Sequence, residues 1–165
     1  MEQEFDIAHS CQLPPNDGMG HAFSFIYRRI MNGTTMPTVP IMLNTYYPPN
    51  QPTPKRCYAL GQALRQAVES WPSDKRVAVI ASGGLSHFVI DEEFDHQIIT
   101  AMQNKDAATL TSLPKERLNS GNSEIRNWIA TAGAVEHLEM RLIDYVPCYR
   151  SPAGTGCAMG FAQWM

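Results

Sequence analysis

Charge is scarce in this chain: of 165 residues, 18% are Asp, Glu, Lys or Arg, against 44% that are hydrophobic. The formal net charge of −3 leaves no basic field, so a partner bound through a nucleic-acid backbone is not expected. No apolar run is long enough to cross a bilayer. The opening stretch, MEQEFDIAHS, has neither the basic region nor the apolar core of a secretory leader. These absences predict a cytoplasmic protein with no membrane partner. There are four cysteines, Cys11, Cys57, Cys148 and Cys157, but no C-x-x-C pair and no zinc-like spacing, so they read as reduced thiols. No internal repeat or low-complexity segment interrupts the chain, whose length suits one domain over 1–165. A charge share this low hints at surface that a partner covers.

What is present centres on Arg76 to Phe88, RVAVIASGGLSHF. Val77, Ala78, Val79 and Ile80 have too few polar positions for a strand with one wet face, and they predict a central strand buried on both faces. Gly83 and Gly84 permit close backbone approach, letting Leu85, Ser86 and His87 fold over the carboxyl end of that strand, where open α/β sheets bind ligands. An ordinary strand exit carrying a buried, satisfied histidine accounts for the same residues.

Around this centre, FDIAHS (Phe5 to Ser10) predicts a short strand and QLPPNDGMG a loop. The spacing of Ala22, Phe25, Ile26, Arg29 and Ile30 predicts a helix over His21 to Met31 with an aromatic inner face, ended by Asn32-Gly33. Asp17 and His21 stand at its mouth, as caps or as groups that reach a ligand. TVPIMLNTY (Thr38 to Tyr46) predicts a second strand, followed by a stiff proline-rich loop. Pro54 suits the first turn of a helix to about Trp71, with Tyr58, Leu60, Leu64, Ala67, Val68 and Trp71 on one face. Strand, crossover helix and central strand together imply a parallel pair. Asp91 is expected to cap a helix whose first turn carries Glu92 and Glu93 and whose buried stripe is Phe94, Ile98, Ile99 and Met102. A short helix around Ala107 to Leu113 follows, then one from Gly121-Asn122-Ser123 through EIRNWIATAGA, a strand over EMRLIDYV (Glu139 to Val146), and a packed tail, SPAGTGCAMGFAQWM. The fold class expected is α/β, a central, mostly parallel sheet with helices on its faces.

Four stretches, VPIMLNTYYPPNQPTPKRCYALGQAL, RVAVIASGGLSH, GNSEIRNWIATAGA and GTGCAMGFAQW, resemble, in order, the carboxyl-terminal part of class III extradiol ring-cleavage dioxygenases, the family of the protocatechuate 4,5-dioxygenase beta subunit. The resemblance implies an α/β sandwich and opening of a catechol-type aromatic acid, such as protocatechuate or gallate, by dioxygen at non-haem Fe(II). It places His87, which closes SGG-x-SH, as the acid/base residue near the iron. Imidazole suits that work because it can both take a proton and give one. It places Glu124 as the carboxylate of a ligand set of two histidines and one glutamate; apart from the resemblance, Glu124 reads as a first-turn carboxylate facing a helix dipole. It places Ser86 and His21 at the substrate, although the family's Asp-His-Gly stands here as Asp17-Gly18-Met19-Gly20-His21.

The half that brings both histidine ligands in the family is, by the resemblance, expected to be missing from this chain. FDIAHSCQ, around His9, resembles a middle segment of the family and not its ligand motif, and His96 and His137 match no role. Three or more converging ligands are needed for tight Fe(II) binding. Fe(II) is therefore expected by resemblance but not held by this chain alone. A homo-oligomer or a partner subunit is expected, since a sheet short of strands exposes an edge and apolar faces. The alternative is a noncatalytic, degenerate subunit of the same fold that binds a partner chain or a small aromatic ligand. A hydrolase using Ser82 or Ser86 with His87 has no G-x-S-x-G elbow to support it.

Overall fold

Capping residues set most of the helix starts. In the computed structural model, which describes residues 5–9 and 18–165, the chain divides into two units, Met1–Met42 and Leu43–Met165.

In the first unit a helix begins at His21, as its periodicity predicts. Helix α1 (His21–Phe25) passes into a π-helical turn, Ile26–Ile30, closed by the Met31 N–H donating to the Ile26 carbonyl at 2.9 Å. Asn32 and Gly33 then take positive φ, 48° and 73°, and terminate it. The expected inner face is not buried: Phe25 is 41% exposed and Ile30 58%. Residues 5–9 form no strand; the end of FDIAHS and Asp17 lie outside the described residues.

In the second unit, helix α2 (Pro54–Ser70) has Thr53 as N-cap, its hydroxyl accepting from the Arg56 N–H at 3.1 Å, with Pro54 in the first turn. It buries Cys57, Tyr58 and Gly61, whereas Val68 and Trp71 at its far end are exposed. Helix α3 (Glu92–Gln103) is capped by Asp91, which accepts from the Phe94 N–H at 3.0 Å, and it buries Phe94, Ile98, Ile99 and Met102 as expected. Helix α4 (Ala107–Thr111) is shorter than its pattern predicts. Two 3₁₀ turns, Lys115–Leu118 and Ser120–Glu124, lead into helix α5 (Ile125–Ala134). Gly61 and Gly133 set how closely α2 and α5 approach: a Cβ on Gly61 would strike the Ala130 carbonyl, and one on Gly133 the Tyr58 carbonyl.

The sheet departs from expectation. Strand β1 (His87–Val89), strand β2 (Met140–Tyr149) and strand β3 (Thr155–Trp164) form one sheet in the order β1-β3-β2, antiparallel throughout. The strand expected over 139–146 is therefore present and longer, and the apolar tail is its partner. The strands expected over 77–80 and 38–46 are not formed, and no parallel pair occurs among the described residues. Val77, Val79 and Ile80 are 46%, 39% and 47% exposed. A β-branched run becomes a strand only when a neighbour completes its hydrogen bonds, and neither segment has such a neighbour among the described residues. The core lies instead among α2, α3, α5 and the inner face of β3, around Phe94, Ile98, Ile125, Ile129 and Ala158.

Candidate active site

On one side the SGG-x-SH loop is held by side chains from residues 122–128. The Asn127 amide donates to the Ser82 carbonyl at 2.9 Å, and the Trp128 indole N–H donates to the Gly83 carbonyl at 3.0 Å. The Gly84 N–H donates to Glu124 Oε2 at 2.7 Å, and the His87 N–H donates to Asn122 Oδ1 at 2.7 Å. The second of the two motifs thus forms the cradle of the first. On the other side the loop is pinned to β3: the Leu85 N–H donates to the Ala158 carbonyl at 2.9 Å, and the Ala158 N–H to that of Ser86 at 2.8 Å.

Glycines make room for the imidazole. A Cβ on Gly84 would lie 2.6 Å from His87 Cε1, and one on Gly121 would collide with His87 Cβ. Phe88, next in the chain, sits at φ 67°, a left-handed conformation that an aromatic residue rarely adopts. Strain of this kind persists where surrounding contacts dictate it.

The His87 ring is oriented through both nitrogens. Nδ1 lies 2.8 Å from the Leu85 carbonyl. A carbonyl only accepts, so Nδ1 carries a proton and, in the neutral ring, Nε2 presents its lone pair. Nε2 stands 3.2 Å from Cys157 Sγ and 3.7 Å from Glu124 Oε2. The side chains of His87 and Glu124 keep 21% and 34% exposure, so the pair is open to a ligand. Burial, and then the Glu124 charge, push the Cys157 thiol above its ordinary value, which keeps it a neutral S–H donor toward Nε2.

Ser86 is placed differently from its neighbour. Its side chain is fully buried; its hydroxyl donates to Asp95 Oδ2 at 2.6 Å and accepts from the Asp91 N–H at 2.9 Å. Asp95 also accepts from the Ser86 N–H at 2.9 Å and from the Tyr145 hydroxyl at 2.8 Å. This buried carboxylate ties α3, the histidine loop and β2 together. Burial pushes its pKa up, against the lowering effect of the donated hydrogen bonds.

The structure therefore brings His87, Glu124 and Ser86 to one loop system. His21 belongs to the first unit, where it opens α1 and is exposed. Asp95, Asn122, Asn127 and Cys157 were not singled out from sequence. Asp95 resembles another acid in a helix first turn, and only its burial marks it. The asparagines stand in GNSEIRNW, where their spacing around Glu124 is a visible but nonspecific signal.

Two donor side chains and a thiol do not make an Fe(II) site: among the described residues no group of three or more His, Cys, Asp or Glu could hold a metal ion. The surface depression lined by Glu93, His96, Gln97 and Thr100 includes neither His87 nor Glu124. Among the described residues no helix is long and apolar enough to cross a membrane.

Comparison with known proteins places the chain among ring-opening dioxygenases. The chain is 33% identical over 148 residues to gallate dioxygenase of Pseudomonas putida, covering 82% of this chain and 42% of that enzyme. It is 34% identical over 87 residues to a 2,3-dihydroxyphenylpropionate/2,3-dihydroxicinnamic acid 1,2-dioxygenase of Comamonas testosteroni, covering 53% of this chain and 26% of that protein. For the enzyme of the same name from Rhodococcus jostii the figures are 37% over 82 residues, 50% and 24%. The chain thus spans less than half the length of the curated relatives it matches. The family described as the catalytic LigB subunit of aromatic ring-opening dioxygenase matches residues 1–153, and the chain belongs to that family.

Proposed function

We propose that this chain forms part of an extradiol ring-cleaving dioxygenase, supplying the proton-handling side of a site that opens a catechol-type aromatic acid such as protocatechuate or gallate. The observation that carries the reading is the convergence of His87 Nε2 and Glu124 Oε2 at 3.7 Å, two residues from separate motifs joined through the Gly84 N–H. With Nδ1 committed to the Leu85 carbonyl, Nε2 is the atom that takes a proton from a ring hydroxyl placed beside Glu124 and later returns one. Gly84 leaves room for the imidazole, and Ser86, held by Asp95, fixes the turn that aims His87. His21 is assigned to the substrate by resemblance.

Fe(II) is the family's metal, and Glu124 is the carboxylate proposed to face it. The described residues do not complete a ligand set; in this reading the two remaining ligands come from beyond them, in the same polypeptide or in a partner chain. The central parallel sheet belongs to the same proposal. Exposed Val77, Val79 and Ile80 are the residues such a sheet would bury once a neighbouring strand is present.

In the assembled enzyme, His87→Ala is expected to lower turnover of protocatechuate or gallate by about 10²–10⁴-fold; unaltered turnover would exclude the proton-transfer role. Anaerobic titration of this chain alone is expected to show only weak Fe(II) binding, and tight stoichiometric binding would overturn the incomplete ligand set. The incomplete ligand set also favours a second reading, a noncatalytic subunit of the same fold that binds a partner chain or a small aromatic ligand. It predicts unchanged turnover when His87→Ala is introduced into the complex.

A further inference from the structure

The register of the sheet pairs Cys157 with two residues, His87 on β1 and Cys148 on β2. Directly opposed residues project from the same face, so His87, Cys157 and Cys148 form one row across the sheet with Cys157 in the middle. The Arg150 N–H donates to the Thr155 carbonyl at 2.6 Å, which makes Arg150 and Thr155 a hydrogen-bonded pair. Pairing alternates along an antiparallel ladder, so Cys148 and Cys157, two positions further on, are also a hydrogen-bonded pair, with Cα atoms about 5.5 Å apart. That Cα separation is inside the range, about 4.4–6.8 Å, over which disulfides close. The Cβ atoms of a hydrogen-bonded pair, about 5.5 Å apart, must draw together to about 4.5 Å or less, so the bridge is a strained and readily reduced one. Both cysteines are free thiols; Cys148 is exposed and Cys157 half-buried.

We propose that Cys148 and Cys157 are a peroxide-responsive thiol pair that closes a cross-strand disulfide beside His87 and removes the Cys157 hydrogen bond from His87 Nε2. Hydrogen peroxide is the oxidant. The exposed Cys148 sulfur attacks one peroxide oxygen, the O–O bond breaks, and Cys148 becomes a sulfenic acid as one water leaves. The Cys157 sulfur then attacks the Cys148 sulfur, the S–O bond breaks, and the hydroxyl leaves as a second water with the Cys157 proton. The two thiols lose two electrons and the peroxide gains them. His87 Nε2, 3.2 Å from Cys157 Sγ, is the acceptor through which that proton passes. In the disulfide no S–H remains to donate to Nε2, so the oxidised chain holds its imidazole by Nδ1 alone. The pairing itself rests on register and distance; its consequence for ring cleavage rests on the proposed function.

The sequence supplies a clean assay, because trypsin cuts after Arg141 and Arg150 and so separates the two cysteines into peptides 142–150 and 151–165. The wild-type chain is treated with hydrogen peroxide, alkylated, digested without reductant and mapped by mass spectrometry. The expected product joins 142–150 to 151–165, forms at a rate independent of protein concentration, and disappears with dithiothreitol and in Cys148→Ser. His87→Ala is expected to slow closure several-fold without changing which thiols pair. Circular dichroism of each variant identifies any that fail to fold, and the wild-type map stands without them. Cys148 advancing to sulfinic or sulfonic acid while Cys157 remains alkylatable would overturn the proposal, as would linkage only between molecules or to Cys11 or Cys57. Since no turnover is read, this outcome is separate from success or failure of the dioxygenase reading.

Discussion

The backbone N–H of Gly84 donates to the Glu124 carboxylate at 2.7 Å across forty residues of sequence. Through that one bond, the loop that presents His87 and the 3₁₀ turn that ends at Glu124 hold a common geometry. A carboxylate held by a backbone amide is oriented before any ligand arrives, and charge-assisted bonds of this kind are stronger than neutral ones.

Glu124→Ala should accordingly lower stability by about 1–2 kcal/mol, because the Gly84 N–H loses its acceptor, while Glu124→Gln, which keeps an acceptor oxygen, should cost less. Urea denaturation of the two variants checks this. Equal losses would show that the hydrogen bond is not what the carboxylate contributes.

Asp95→Ala should be the most damaging change near the site. It leaves the Ser86 N–H, the Ser86 hydroxyl and the Tyr145 hydroxyl without their common acceptor, at a cost of about 3 kcal/mol or more. The midpoint of chemical unfolding reads it, and a loss under 1 kcal/mol would be incompatible with the network described.

The raised pKa of Asp95 gives stability a pH dependence of defined sign. A carboxyl that binds its proton more tightly folded than unfolded favours folding most below its unfolded value, and this contribution is lost as pH rises through the folded one. The stability of the wild-type chain relative to Asp95→Asn should therefore fall as pH increases from the acid side. A relative stability that rises over that window would reverse the assignment.

Gly121→Ala tests the room made for the imidazole. The added methyl would collide with His87 Cβ, and such overpacking costs roughly 1–3 kcal/mol. Thermal unfolding should show the loss, and in the assembled enzyme turnover should drop with it. Gly18→Ala, where a Cβ meets nothing within 4 Å, is the control for stability and should leave the unfolding temperature unchanged.

Thr53→Ala removes the cap of α2 and should cost about 1 kcal/mol. A change this local should leave the oxidation products of Cys148 and Cys157 unaltered.

Helices were the legible part of this fold because their signals are local. Asp91 with Phe94, Ile98, Ile99 and Met102 names start and buried face within a few residues; Pro54 names the start of α2, whose expected face is buried only at Tyr58. The strands at 77–80 and 38–46 were misread for the complementary reason. Val77, Val79 and Ile80 carry strong β-propensity, but propensity describes a fit to a pleated, half-buried surface, and no partner strand lies against them among the described residues. The hairpin of β2 and β3 formed because each strand is the other's partner, joined by the turn at Gly154.

The SGG-x-SH loop, the GNSEIRNW stretch, the caps and the glycines that a tight loop requires were visible in the sequence, since all of these are properties of short stretches; the roles given to His87 and Glu124 rest on the resemblance. Only the tertiary structure decided that Glu124 accepts from Gly84, that Asp95 is buried beneath Ser86, and that Cys157 stands between His87 and Cys148. Those are relations between side chains far apart in the chain. Burial and register, which set them, depend on how separate segments pack and pair, and the order of residues within any one segment does not contain them.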